Sequence, residues 1–310
     1  MTAQSLTTLA LTTRMVPSEI KPLSSREFWP LTRRVALSQL AGKDAADVAE
    51  EAAISIADSE RLLGLLDRST AVALAMERLE QAGVWTVTPE DDAYPKRLID
   101  RLGDSAPPVL HGVGQPGTLE AAAVGIVGSR DVTLEGADVA RRAASAAVDA
   151  GLAVISGAAR GVDQQAMASA FEARGVVLGI LADALVKVVR QPDMRAAVHD
   201  GLVTLATPYS PEAGFSAANA MGRNKIIYAL ARTTLVVCTD QGRGGTWAGA
   251  TEALKARNGR VLVWRGLGQG PGNEALVALG AEPTDDLASL TERPPPEVGR
   301  VTADQLTMNI

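Results

Sequence analysis

Between residues 124 and 282 the chain repeats one pattern. Apolar runs stand at VGIVG (124–128), LAVIS (152–156), VVLGILA (176–182), LVTLA (202–206), TLVVC (234–238) and RVLVW (260–264), and helix-like segments fill the intervals. The runs are continuously hydrophobic instead of alternating with polar residues, which is the mark of strands covered on both faces. Strands joined through helices lie parallel, and their crossovers are right-handed. These constraints predict an α/β fold over residues 121–285: a doubly wound, mostly parallel, Rossmann-like sheet. An aromatic content of 3% and 29 glycines suit thin, closely packed layers, and would equally follow from a GC-rich genome.

The flanks read differently. Residues 1–25 are rich in Thr and Ser and predict a flexible lead-in, with no basic stretch followed by an apolar core as in a signal peptide. In residues 26–83, LTRRVALSQL and SERLLGLLDR place Leu and Val at helical spacing and predict a small helical domain. No Gly-Ile-Gly type hairpin supports a helix-hairpin-helix there. Residues 84–120 hold the short strands VWTVT and VLHGVG around a Pro107-Pro108 break and predict a connecting segment. Residues 286–310, with a triple proline, predict a tail. Cys238 is the single cysteine, so no disulfide within the chain and no cysteine metal cluster is expected. His111 and His199 lack metal-ligand spacing. No run approaches the ~18 apolar residues of a membrane span, so neither membrane, metal nor cofactor is expected and the expected compartment is the cytoplasm.

A net charge of −6 and a pI of about 5.1 argue against broad, charge-driven nucleic-acid binding. They leave room for a local cationic groove, because charges are screened within about 10 Å. Open parallel sheets bind ligands beyond the carboxyl ends of their strands. Four turns rich in small residues and cations fall there: Gly128-Ser129-Arg130, Ser156-Gly157 running to Arg160, Arg223-Asn224-Lys225, and Arg243-Gly244-Gly245-Thr246. Glycine and serine let backbone amides approach a phosphate, and arginine adds a bidentate fork. The four turns together predict an anion or nucleotide site, with Arg130 its strongest candidate. Arg223 and Lys225 read as lying near a helix start, where a cation opposes the dipole. Asp163 reads as a helix-start acid, and Trp247 either stacks on a base or packs under its loop. A dinucleotide site is disfavoured, since no G-x-G-x-x-G opens the first helix and no acidic residue follows the second strand at the place a dinucleotide fold needs it. GQGPGNEA lacks the Lys-Ser/Thr of a Walker loop, and no G-x-S-x-G marks a serine hydrolase.

The ordered motifs resemble the DprA/Smf family, DNA-processing protein A. The resemblance rests on DDAYPKRLIDRLGDSAPPVLHGVG, IVGSR, SGAARGVDQQAM, GRNKIIYALARTTLVV and RGGTWAGATEAL followed by GRVLVW. It implies a cytoplasmic homodimer that binds single-stranded DNA and hands it to a recombinase during uptake or recombination. It further implies that Arg130, Arg160 and Lys225 grip phosphates, that Ser129, Gly157 and Gly245 let amides approach, and that Asn224 orients the pocket. No catalytic residue is implied. The chain departs from the family pattern at Met167, at Thr207-Pro208, at Cys238 and in R-N-K for R-N-R, and the winged-helix-like domain has no counterpart in 286–310. A second reading is a nucleotide sensor or a LOG-like nucleoside monophosphate N-glycosidase in mobile-element defence. It draws on Met221-x-Arg223-x-Lys225 and Gly244-Gly245-Thr246 with Glu252, though Glu252 falls over a turn and a half beyond that loop.

Overall fold

The computed structural model describes residues 2–292. Its strands are β1 (Trp85–Val87), β2 (Leu110–Val113), β3 (Ala123–Val127), β4 (Ala153–Ser156), β5 (Val177–Ile180), β6 (Val203–Thr207), β7 (Thr233–Val236), β8 (Arg260–Trp264) and β9 (Glu282–Thr284). They form one nine-stranded sheet in the order β1-β2-β6-β5-β4-β3-β7-β8-β9. From β6 to β9 every pairing is parallel. Each apolar run of the sequence is a strand, and β3 to β7 are buried along their whole length. The predicted doubly wound α/β sheet is therefore the fold of this chain.

Helices cover both faces. The N-terminal set is α1 (Ala3–Thr12), α2 (Ser25–Thr32), α3 (Ala45–Ala52), α4 (Ile56–Leu66) and α5 (Ser69–Gln81). Then come α6 (Lys96–Leu102), α7 (Leu134–Asp149), α8 (Val162–Glu172), α9 (Leu185–Val188) and α10 (Pro192–His199), followed by α11 (Ala217–Leu230), α12 (Gly244–Ala256), α13 (Asn273–Ala278) and α14 (Ala288–Thr291). One core joins α2, α4, α6, α11 and α12 to the sheet through Phe28, Trp29, Leu62, Leu98, Ile226, Tyr228 and Ala253. The opposite core is built from the alanine face of α7 (Ala140, Ala143, Ala144 and Ala147), with Val162 and Ala166 of α8. Small side chains there let α7 and α8 lie close over the sheet.

Three regions differ from expectation. Residues 3–12 are a helix, not a loose lead-in. Thr2 caps it by accepting from the Ser5 amide, Leu9 and Leu11 are buried, and Arg68 Nη2 donates to the Ala10 and Thr13 carbonyls, each at 2.8 Å. Those last carbonyls have no partner within the helix, so a cation supplied from elsewhere in the chain completes the end that the local sequence leaves open. The segment 84–120 is more than a connection. Its strands β1 and β2 add to the sheet antiparallel, with β2 registered on β6 through His111↔Thr207. They cover the edge that β6 would otherwise present. Of the expected tail, 288–291 forms α14 against α7, and residues 293–310 lie outside the described part. Among the described residues no helix is long and apolar enough to cross a membrane.

Candidate nucleic-acid interface

The strand order reverses at β3, which has β4 on one side and β7 on the other. Crevices form outside the carboxyl ends of strands at such a reversal. A cavity of about 620 Å³ opens here, lined by Gly128, Ser129 and Arg130, by Arg223 and Asn224, and by Arg243, Gly244, Gly245 and Thr246. The sequence-predicted turns after β3 and β7 and before α12 thus converge with the middle of α11.

The loops are tied to one another by hydrogen bonds. Val237 N donates to Val127 O and Ser129 N to Cys238 O, both at 3.0 Å, extending the β3–β7 ladder beyond the strands. Thr246 Oγ1 donates to Gly128 O at 2.8 Å, and Asn224 Nδ2 to Gly245 O at 3.0 Å. Fully buried Asn273 accepts from Thr239 N and donates to the Val237 and Trp264 carbonyls, anchoring the 239–243 turn. At the start of α12, Arg243 occupies the cap position without a side-chain hydrogen bond to the first turn. The first turn of α12 thus lines the cavity without a side-chain cap, and a positive helix end so placed favours an anion.

Arg223 forms the floor. It is 5% exposed, and its Nε and Nη1 have no hydrogen-bond partner. Its Nη1 stands 3.8 Å from Asp163 Oδ2, close enough for charge attraction but too far for a hydrogen bond. Asp163 Oδ2 in turn accepts from Gly157 N at 3.1 Å and Ala159 N at 3.4 Å. Burial lowers the Arg223 pKa against the opposing charge of Asp163. Burial likewise raises the Asp163 pKa, while Arg223 and the two amides pull it down. Only glycine at 157 admits this guanidinium, since a Cβ there would lie 1.1 Å from Arg223 Nη1. At the rim, exposed Arg130 sits over the Phe215 ring, 5.1 Å from its centroid.

The remaining predicted residues fall elsewhere. Ser156 is wholly buried and its Oγ donates to Ile126 O at 2.6 Å, so its hydroxyl is spent on the sheet. Arg160 pairs with Asp131 at 2.7 Å on the surface, and with Gly157 lines a neighbouring apolar cavity of about 880 Å³. Lys225 pairs with Glu252 at 2.9 Å and borders a third cavity of about 230 Å³ beside Tyr209. Arg223 and Lys225 lie in the middle of α11, not at its start, so burial against Asp163 rather than the helix dipole sets Arg223 apart. Asp163 is also more than a helix-start acid, because it fixes the 157–159 turn. Trp247 lines the cavity and packs against the core from the same position. Sequence reasoning passed over Phe215, Tyr228 and Asn273. Phe215 alone carried a signal, being one of only three phenylalanines in the chain and set in a polar loop.

Comparison with known proteins supplies the family. The sequence model of DNA recombination-mediator protein A matches residues 85–294. Protein Smf of Synechocystis sp. is 31% identical over 172 residues, covering 52% of this chain and 42% of that protein. The chain spans about half the length of the relatives it matches by sequence. Among solved structures, DNA processing protein A of Streptococcus pneumoniae superposes with a TM-score of 0.65 at 21% identity, over 88% of this chain and 99% of that one. The Helicobacter pylori protein, described for its single-stranded DNA binding mode, superposes with a TM-score of 0.55 at 20% identity, over 66% of this chain and 94% of that one. Both structural likenesses are of fold. The sequence match runs through every loop that lines the cavity, and the chain belongs to the DNA recombination-mediator protein A family.

Proposed function

We propose that this chain binds single-stranded DNA, seating backbone phosphates in the cavity at the β3–β7 switch. The observation that carries the reading is Arg223. Two of its buried donors lack a hydrogen-bond partner, and the residue lines a cavity together with Arg130, Arg243 and the start of α12. An unanswered buried donor costs about 1–3 kcal/mol, and a phosphate oxygen supplied by a ligand would recover it. Arg130 and Phe215 at the rim offer charge and a stacking face, the pair of features that bind single strands without reading sequence. The named binding mode of the Helicobacter pylori relative supports the same reading.

The role extends to a homodimer that delivers the strand to a recombinase in the cytoplasm, in keeping with the family to which the chain belongs. The LOG-like alternative finds less support, since Glu252 is paired with Lys225 and does not line the cavity. Fluorescence anisotropy with a labelled oligothymidylate tests the proposal. Binding should be measurable at low salt, weaken steadily as salt rises, and fall in Arg130→Ala with no change in melting temperature. No binding of the oligonucleotide at low salt would overturn it. Light scattering with and without a recombinase tests the assembly.

A further inference from the structure

The cavity floor holds one more unanswered polar group. Tyr228 on α11 is 2% exposed and lines the cavity, and its hydroxyl has no hydrogen-bond partner. Its ring belongs to the main core and packs beside α12, where a Cβ on Gly249 would stand 3.4 Å from Cε2. The aromatic body is thus accounted for by packing, and the oxygen is not. A phenylalanine would fill the same space without burying an unpaired hydroxyl. Asp163, on the same cavity wall, acts on Tyr228 through its charge, and burial together with that charge keeps the phenol protonated. The hydroxyl is therefore available as a donor. Asp163 Oδ2 is already engaged by the Gly157 and Ala159 amides.

We infer that Tyr228 Oη is a ligand-reading donor, which together with Arg223 Nε and Nη1 holds one acceptor oxygen of the bound strand at the cavity floor. This rests on the proposal that the cavity binds single-stranded DNA. Among the described residues, three of the buried side-chain polar atoms without a hydrogen-bond partner belong to these two residues, and both residues line this cavity. Arg223 supplies charge-assisted donors and Tyr228 a neutral one. The group they fit is an oxygen without a proton, either a non-bridging phosphate oxygen or a base carbonyl.

The test is Tyr228→Phe in the full chain, measured by anisotropy with an oligothymidylate and with an abasic strand of equal length, and by calorimetry with thymidine monophosphate. The expected result is a Kd raised about tenfold, equivalent to about 1.4 kcal/mol, with a melting temperature unchanged or higher, because an unpaired buried hydroxyl has been removed. A loss on both strands assigns the oxygen to phosphate, and a loss on oligothymidylate alone assigns it to the base. Wild-type affinity in Tyr228→Phe overturns the inference. A lowered melting temperature with unchanged affinity also overturns it, marking the hydroxyl as structural. If the wild-type chain binds the mononucleotide but no oligonucleotide, and Tyr228→Phe weakens that binding, the inference stands and the DNA reading falls. If it binds neither, both fall.

Discussion

Gly157→Ala tests the floor of the cavity with a single methyl group. The new Cβ would lie 1.1 Å from Arg223 Nη1 and 2.2 Å from Cζ. Ordinary non-bonded contact needs about 3.5 Å, so the guanidinium must retreat by roughly 2 Å. That retreat breaks its 3.8 Å approach to Asp163, leaving a buried carboxylate with only the amides of residues 157 and 159. The arginine's free path is into the cavity, where it occupies the volume intended for phosphate. Overpacking of this kind costs about 1–3 kcal/mol. We expect the urea midpoint to fall accordingly and oligothymidylate affinity to fall by about tenfold or more, which corresponds to at least about 1.4 kcal/mol. The cause can be isolated with a double-mutant cycle. In an Arg223→Ala background the methyl group meets no guanidinium, so Gly157→Ala should cost almost nothing further in stability or binding. An equal cost in both backgrounds would refute the clash as the mechanism.

Two other outcomes follow from the structure. Asp131→Asn releases Arg160 from an exposed ion pair, 71% and 88% exposed at the two side chains; such pairs are worth no more than about 1 kcal/mol, so oligonucleotide affinity should rise by up to about fivefold, and unchanged affinity would place Arg160 outside the binding path. His111 is buried with Nδ1 2.8 Å from Thr86 Oγ1, and burial lowers its pKa from 6.5 to about 4. The unfolded chain then binds the proton first, so stability is present above pH 6.5 and is lost as pH falls from 6.5 toward 4, by about 3 kcal/mol at most. Urea titrations at the two ends of that window should show the loss in wild type and not in His111→Asn.

The sheet was legible because burial on both faces writes the same letters whatever the neighbours. VGIVG, LAVIS and TLVVC could only be strands, and the glycine-rich turns after them had to share an edge. What was not legible depends on partners far off in the chain. The Ser/Thr-rich start is a helix because Arg68, more than fifty residues on, bonds its last carbonyls. Arg160 looked like Arg130 in sequence, yet Asp131 holds it on the surface, and Glu252 does the same for Lys225. Arg223 looked like a helix-start cation and is instead buried in mid-helix over Gly157. No local pattern announces which acid a long side chain reaches. Tyr228 was hidden for the opposite reason, since a tyrosine in an apolar helix segment reads as core and its ring is core.

The pairing of those cations also resolves the conflict between an acidic chain and an anionic ligand. Arg130, Arg223 and Arg243 line the cavity, while Arg160 and Lys225 are neutralised by Asp131 and Glu252. A strand at a distance meets a net charge of −6. Beyond a Debye length of about 8 Å at physiological ionic strength that charge is largely screened, and inside the cavity three arginines, with the α12 amides, outweigh Asp163 and Asp240. Binding should therefore be local, with few counterions released. With about 0.7 ions released per contacted phosphate on single strands, three cations give a slope of log K against log salt of roughly −2 for each chain. Engagement of all five would give roughly −3.5. A titration series from about 50 to 200 mM salt separates the two. Asp131→Asn should steepen the slope, and Arg130→Ala should flatten it by about 0.7. A wild-type slope at the five-cation value would show that the strand breaks both surface pairs, and would refute the confinement of binding to the cavity.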